Sequence, residues 1–205
     1  MNGRFENITD IKTHQFVRDR LCDIVQTNRT GRSGRSLLYL LPYDPEQQEG
    51  ARELVDVLVE KDLPANGIEA VDINLYDIVL AYLDEDDTWE PLCEEEPNME
   101  RRDIIQLLRD TVSVSDVLAP AIQARIQDGP EGRPYDLAII TGVGETYPYV
   151  RTHTLLEALD TPVPVVLMFP GKYSRHSDGG TSLDILDIPS RGNGGHYRAT
   201  NVFDL

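Results

Sequence analysis

The spacing of apolar residues constrains this chain more than any other feature. Three times a short apolar run of strand length hands over to residues at helical spacing, and a fourth run follows. Residues 36–41 form the first, closed by Pro42, and Ala51, Leu54, Val55 and Leu58 then fall at the i, i+3, i+4, i+7 positions of an amphipathic helix. Residues 68–73 alternate apolar and acidic, and Leu75, Ile78, Val79, Tyr82 and Leu83 form the next helical stripe. Residues 137–141 run into Gly142, Val143 and Gly144. Pro148 there suits a first helical position, where a missing N–H costs nothing, with Val150, Leu155, Leu156 and Leu159 as the buried side. Residues 163–169 are almost continuously apolar, as a centre strand covered on both faces must be. Right-handed crossovers between such units predict a three-layer α/β/α sandwich with a mostly parallel sheet.

The rest of the chain fits around that plan as one domain spanning residues 1–205, a length that suits a single core. Val17, Leu21, Ile24 and Val25 predict an N-terminal helix over about 10–28. Residues 84–98, rich in acids and carrying two prolines and the lone Trp89, read as an acidic loop. A helical stretch over about 99–126 is expected to kink or split at Pro120. Residues 182–188 suggest an edge strand inside a glycine-rich closing segment, about 174–205.

Charge narrows the function. The formal net charge is −17, so the surface would on average repel phosphates, and direct nucleic-acid binding is not expected. The first 35 residues are mildly basic, with Arg18, Arg20 and Arg29 among their cations, whereas residues 84–100 hold nine acids and no base. No window approaches the roughly 18 consecutive apolar residues of a spanning helix, and the first twenty residues lack a leader-like apolar core, so a cytoplasmic protein is expected. Cys22 and Cys93 are too few and too far apart for a cysteine-rich metal site and read as free thiols.

Ligands of open parallel sheets lie beyond the carboxyl ends of the strands, which directs attention to residues 42–45, 141–148 and 170–175. The segment 141–148 leaves a strand and turns on two glycines, but the Rossmann-like plan lacks a complete dinucleotide fingerprint, because Tyr147 stands where a third glycine is required. No Walker sequence occurs. An anion site built from Gly142, Gly144, Arg151 and Lys172 is the alternative reading of this turn, in a nucleotide- or anion-binding enzyme or sensor. Arg151, His153, Lys172 and Tyr173 are expected to form a polar cluster, although no nucleophile elbow, HExxH pattern or EF-hand loop accompanies them. His14, His153, His176 and His196 lack the spacing of a helical zinc pair, and Asp44, Asp72 and Asp77 read as cap or turn carboxylates, so no metal is expected.

Two segments carry a resemblance: Thr141-Gly-Val-Gly-Glu-Thr-Tyr-Pro-Tyr-Val-Arg-Thr-His-Thr-Leu-Leu156, and Pro164-Val-Val-Leu-Met-Phe-Pro-Gly-Lys-Tyr173. They resemble the BrxB family of the bacteriophage exclusion (BREX) defence systems. Weaker similarity extends to residues 39–45, 71–83 and 196–199. The resemblance implies an antiviral role beside a DNA methyltransferase, an AAA ATPase and the alkaline-phosphatase-like protein PglZ, the last as direct partner. It brings no catalytic activity and no cofactor. Its signature positions here are Gly142, Gly144, Tyr147, Pro148, Arg151, His153, Pro170, Gly171 and Tyr173, which carry no assigned chemistry and read as partner-binding or signature positions, with Tyr147, Tyr149, Arg151 and Tyr173 the residue types suited to anchor an interface.

Overall fold

The computed structural model describes residues 7–31, 37–175, 181–186, 188 and 199–205. The chain opens on α1 (Ile11–Arg29), capped by Asp10, whose carboxylate accepts from the Lys12 amide at 2.8 Å. Its buried residues include Val17, Leu21, Ile24 and Val25, the predicted stripe. Next come β1 (Leu38–Tyr43) and α2 (Gln48–Val57), which continues through a π-helical turn at Leu58–Asp62 into α3 (Leu63–Ala65). Then β2 (Ala70–Asn74) leads into α4 (Leu75–Glu85), α5 (Trp89–Glu95) and α6 (Arg101–Thr111). A second π-helical turn, Val114–Leu118, leads into α7 (Ala119–Gln127). The remaining elements are β3 (Leu137–Thr141), α8 (Thr152–Ala158), β4 (Val165–Arg175), β5 (Thr181–Ile185) and β6 (Ala199–Asn201).

Among the described residues the strands make one sheet in the order β2-β3-β4-β1-β6, all parallel, with β5 pairing antiparallel to the far end of β4. Strand alternation sorts the core into two layers. Leu38, Leu40, Ile73, Ala138, Ile140, Val165 and Leu167 face α7 and α8, whose Ile122, Ile126, Leu155 and Leu156 are buried with them. Leu41, Ala70, Leu137, Ile139, Val166 and Met168 face α1, α2 and α3 on the opposite side, against Leu21, Leu54, Leu58 and Leu63. The architecture is the expected three-layer α/β/α sandwich with a mostly parallel sheet.

Several boundaries differ from the sequence reading, each for a local reason. Pro42 lies inside β1 rather than closing it; among the described residues β6 pairs with Leu38, Tyr39 and Leu40 alone, so β1 has no described neighbour on that side beyond Leu40 and proline is tolerated there. Instead of one loop, residues 84–98 contain the end of α4 and then α5, which anchors itself through the single buried side chain Leu92. The break in the 99–126 stretch falls at Val112 and Ser113, where the Ser113 hydroxyl accepts from the Asp116 amide at 3.3 Å and starts the next helical run. Pro120 instead lies inside the helical run that continues from the π-helical turn Val114–Leu118 into α7, and does not end it. Residues 143–149 form successive turns, with a cis peptide between Tyr147 and Pro148, so α8 starts at Thr152 and not at Pro148. The central apolar run continues past residue 169 into a hairpin arm for β5.

Candidate functional site

A groove of about 440 Å³ opens at the carboxyl ends of β1, β2 and β3, under α2. Its walls combine Tyr43 and Met168 from strands, Ala51 and Val55 from α2, and Tyr76 and Asp77 from the first turn of α4. Asp72, Asn74, Thr141, Gly142 and Glu145 form the facing side. The register explains why these residues meet: Asn74 is the direct partner of Thr141, and Asp72 is two residues earlier on the same face of β2. The Thr141 hydroxyl donates to Asp72 at 2.8 Å. Asn74 caps α4, accepting from the Tyr76 amide at 2.9 Å.

The polar contacts in the groove form a chain. Arg52 pairs with Glu145 at 2.8 Å, the Gln48 amide donates to the same carboxylate at 3.4 Å, and the Tyr43 hydroxyl donates to Gln48. Burial pushes the Tyr43 phenol well above its ordinary range, and the nearby Glu145 charge pushes the same way. Partial burial also raises the Asp72 carboxyl, with the Asp56 and Asp77 charges adding to it against the Thr141 hydrogen bond. Among the described residues four carboxylates therefore share the groove with one cation, which is already committed to Glu145.

The signature residues occupy an adjoining region and behave differently. Gly142 has φ +76, and a side chain there would collide with the Asn74 carboxamide oxygen and stand 3.0 Å from the Leu75 and Tyr76 amides. Only glycine lets the turn approach the α4 N-terminus this closely. A Cβ on Gly171 would strike the Asp184 carbonyl of β5, and one on Gly144 would lie 3.1 Å from the Pro170 ring. Tyr147 and Tyr173 are half-buried against the α7/α8 core layer. Tyr149 packs on the cluster of Val79 and Leu83 from α4 with Val112, Leu118 and Val150, and burial raises its phenol to about 12. Arg151 and His153 are exposed at the start of α8, and Lys172 is exposed on β4. Gly142 alone of the signature positions lines the groove.

The turn's own amides point inward: Thr146 N–H donates to the Gly142 carbonyl at 3.2 Å and Tyr147 N–H to the Gly144 carbonyl at 3.3 Å. The anion reading from Gly142, Gly144, Arg151 and Lys172 thus loses the helix N-terminus it relied on, since α8 begins ten residues after Gly142. Of the aspartates read as caps, Asp44 is one, accepting from the Glu46 amide at 3.0 Å. Asp72 is a strand residue in the groove, and Asn74 rather than Asp77 caps α4. No group of three or more His, Cys, Asp or Glu able to hold a metal occurs among the described residues. His14 pairs with Asp62 at 2.9 Å, while His176 and His196 lie outside the described residues, as do residues 196–198 of the weak C-terminal similarity. Arg18, Arg20 and Arg29 of the basic N-terminal segment pair with Asp19, Asp23 and Asp136.

Sequence reasoning located the carboxyl edge but missed most of the groove's side chains. One signal was available: Gln48, Arg52 and Asp56 recur every four residues along α2, a polar stripe beside the apolar Ala51 and Val55.

A parallel α/β sandwich with its concave site at the carboxyl edge of the sheet follows the general plan of Rossmann-like domains, here without the dinucleotide loop. Residues 71–202, well over half of the chain, match the family described as BREX protein BrxB, and the chain belongs to this BrxB family. It is 26% identical over 201 residues to a BREX protein BrxB from Bacillus cereus (strain H3081.97), covering 92% of this chain and 98% of that relative. It is also 24% identical over 133 residues to a BREX protein BrxB from Escherichia coli O9:H4 (strain HS), covering 62% of this chain and 59% of that relative. No solved structure matches the chain. No helix among the described residues is long and apolar enough to cross a membrane.

Proposed function

We propose that this chain is a non-catalytic assembly component of a BREX-type phage-defence complex in the cytoplasm, where it binds a PglZ-like protein and through it other BREX components. The observation that carries the reading is the match to the BrxB family over residues 71–202, which takes in every signature residue. The division of labour within that signature supports it. Gly142, Gly144, Pro170 and Gly171 bring the turn and the β4/β5 hairpin to close approach, while Arg151 and His153 stay exposed nearby in sequence, with Tyr147 and Tyr173 half-covered. Aromatic and arginine side chains of this kind are the residue types that dominate protein interfaces. The Arg151 side chain has no hydrogen bond or ion pair among the described residues, so its guanidinium can meet a partner without first breaking an internal contact.

Co-purification with the PglZ-like protein of the same defence locus tests this reading, scored by size-exclusion chromatography at moderate and high salt. A complex that survives both conditions is expected. Separate elution at both would remove the partner assignment.

A further inference from the structure

The groove under α2 has a composition that identifies the class of ligand it suits. Asp56, Asp72 and Asp77 have no cationic partner among the described residues, and the sole cation of the lining, Arg52, is held by Glu145. The charge balance therefore rejects phosphates and carboxylates. A metal ion fits no better, since divalent cations need oxygen ligands converging on one point, and these carboxylates come from α2, β2 and α4 without forming such a cluster. The same lining holds the rings of Tyr43 and Tyr76 and the apolar Val55, Ala51 and Met168. Dispersed acceptors around an apolar and aromatic channel suit a delocalised positive charge on a hydrocarbon stem, which takes charge-assisted hydrogen bonds at its head and packs along its body.

We infer that this groove binds an organic cation, a guanidinium or alkylammonium group on an apolar stem, with Asp72 and Asp77 receiving the charged head. The cation arrives either as a free small molecule or as an arginine or lysine side chain of a protein partner. The inference goes beyond the assembly role and does not depend on which partner meets the signature face.

Isothermal titration of the full chain with argininamide tests it, alongside the blocked peptide Gly-Arg-Gly and its Gly-Gln-Gly counterpart. Saturable binding of argininamide is expected, weakened about tenfold in Asp72→Asn and in Asp77→Asn by loss of a charge-assisted hydrogen bond. Arg52→Gln, which frees Glu145 and removes the competing cation, should tighten it about threefold. Arg133→Gln, near the opposite edge of the sheet and paired with Glu131, should change nothing and controls for overall charge. Binding of argininamide without the arginine peptide assigns a free cation, and tighter binding of the peptide assigns a partner's side chain. Equal affinity in wild type and all groove variants that keep the wild-type melting temperature overturns the proposal. Binding of phosphate, glutamate or Mg²⁺ at least as tight as argininamide overturns it too.

Discussion

The groove and the adjoining signature face use the same strand ends in opposite ways. In the groove, Arg52, Asp56, Asp72, Asp77 and Glu145 come from separate stretches of chain and contribute charged side chains. On the signature face, Gly142, Gly144 and Gly171 belong to two short motifs and contribute the absence of bulk, Gly144 against the Pro170 ring. The glycines and proline therefore report where backbones must approach, while the groove's polar chemistry sits on side chains that none of the signature positions supplies.

The largest effect expected from this contrast lies in the motif. Gly142→Ala forces a Cβ against the Asn74 carboxamide at a positive φ, and Gly171→Ala forces one into the Asp184 carbonyl. Each should destabilise by about 2–4 kcal/mol, the range for backbone strain combined with a clash that cannot relax. Urea denaturation measures it. A loss under about 0.5 kcal/mol at both positions would mean that the motif is kept for its surface and not for its backbone.

Arg151→Ala should do the reverse. An exposed arginine whose side chain has no partner among the described residues should change stability by less than about 0.5 kcal/mol, while partner affinity falls about tenfold or more if the arginine anchors the interface. Tyr173→Ala mixes the two effects, because its ring is half-buried on the core layer, and should cost about 1–2 kcal/mol of stability as well. Titration against the PglZ-like protein, run beside urea melts, separates them. Unchanged affinity in both variants would move the interface away from this face.

Asn74 tests the seam between the two regions, since its carboxamide caps α4, lies against Gly142 and lines the groove. Asn74→Ala should cost about 1 kcal/mol through the lost cap. Thermal melts would show it, and Asn74→Asp, which preserves the capping oxygen, should recover most of the loss. No recovery would show that the carboxamide matters through its neighbours rather than the cap.

How far these regions could be read in advance follows from the range of the forces involved. Strand and helix periodicity is set by neighbours within a few residues, so Val17, Leu21, Leu54, Val79, Leu155 and the central apolar strand were legible, and with them the layer order. Elements whose form depends on tertiary support were not. Seven-residue α5 is too short and too acidic to announce itself, and the helix that Pro148 suggested begins four residues later, after successive turns. The family-like segments pointed to the right end of the sheet, but the meeting of α2 with Asp72 and Asp77 depends on strand order, β2 lying beside β3, which no local pattern encodes.

The smallest expected effect concerns the charge stored in the groove. Asp72 has its folded-state pKa raised, first by partial burial and then by the Asp56 and Asp77 charges. Between the unfolded and folded values the native state binds more protons than the unfolded one, so this group's contribution to stability declines as pH rises through that interval. Above it, the ionised carboxylate is a fixed penalty. Asp72→Asn keeps an oxygen for the Thr141 hydroxyl and removes that penalty, so the variant should be more stable than wild type at pH 7. Because the residue is only partly buried and keeps contact with solvent at the groove wall, screening holds the gain to a few tenths of a kcal/mol. The advantage should disappear as pH falls below the ordinary aspartate range, where both proteins carry a neutral group. Paired thermal melts between pH 3.5 and pH 7, conditions chosen to span the usual carboxylate titration, measure it. A gain that grows on acidification would show that Asp72 is stabilised by a cation in the folded chain, and the groove would then lack the unbalanced charge that separates it from the signature face.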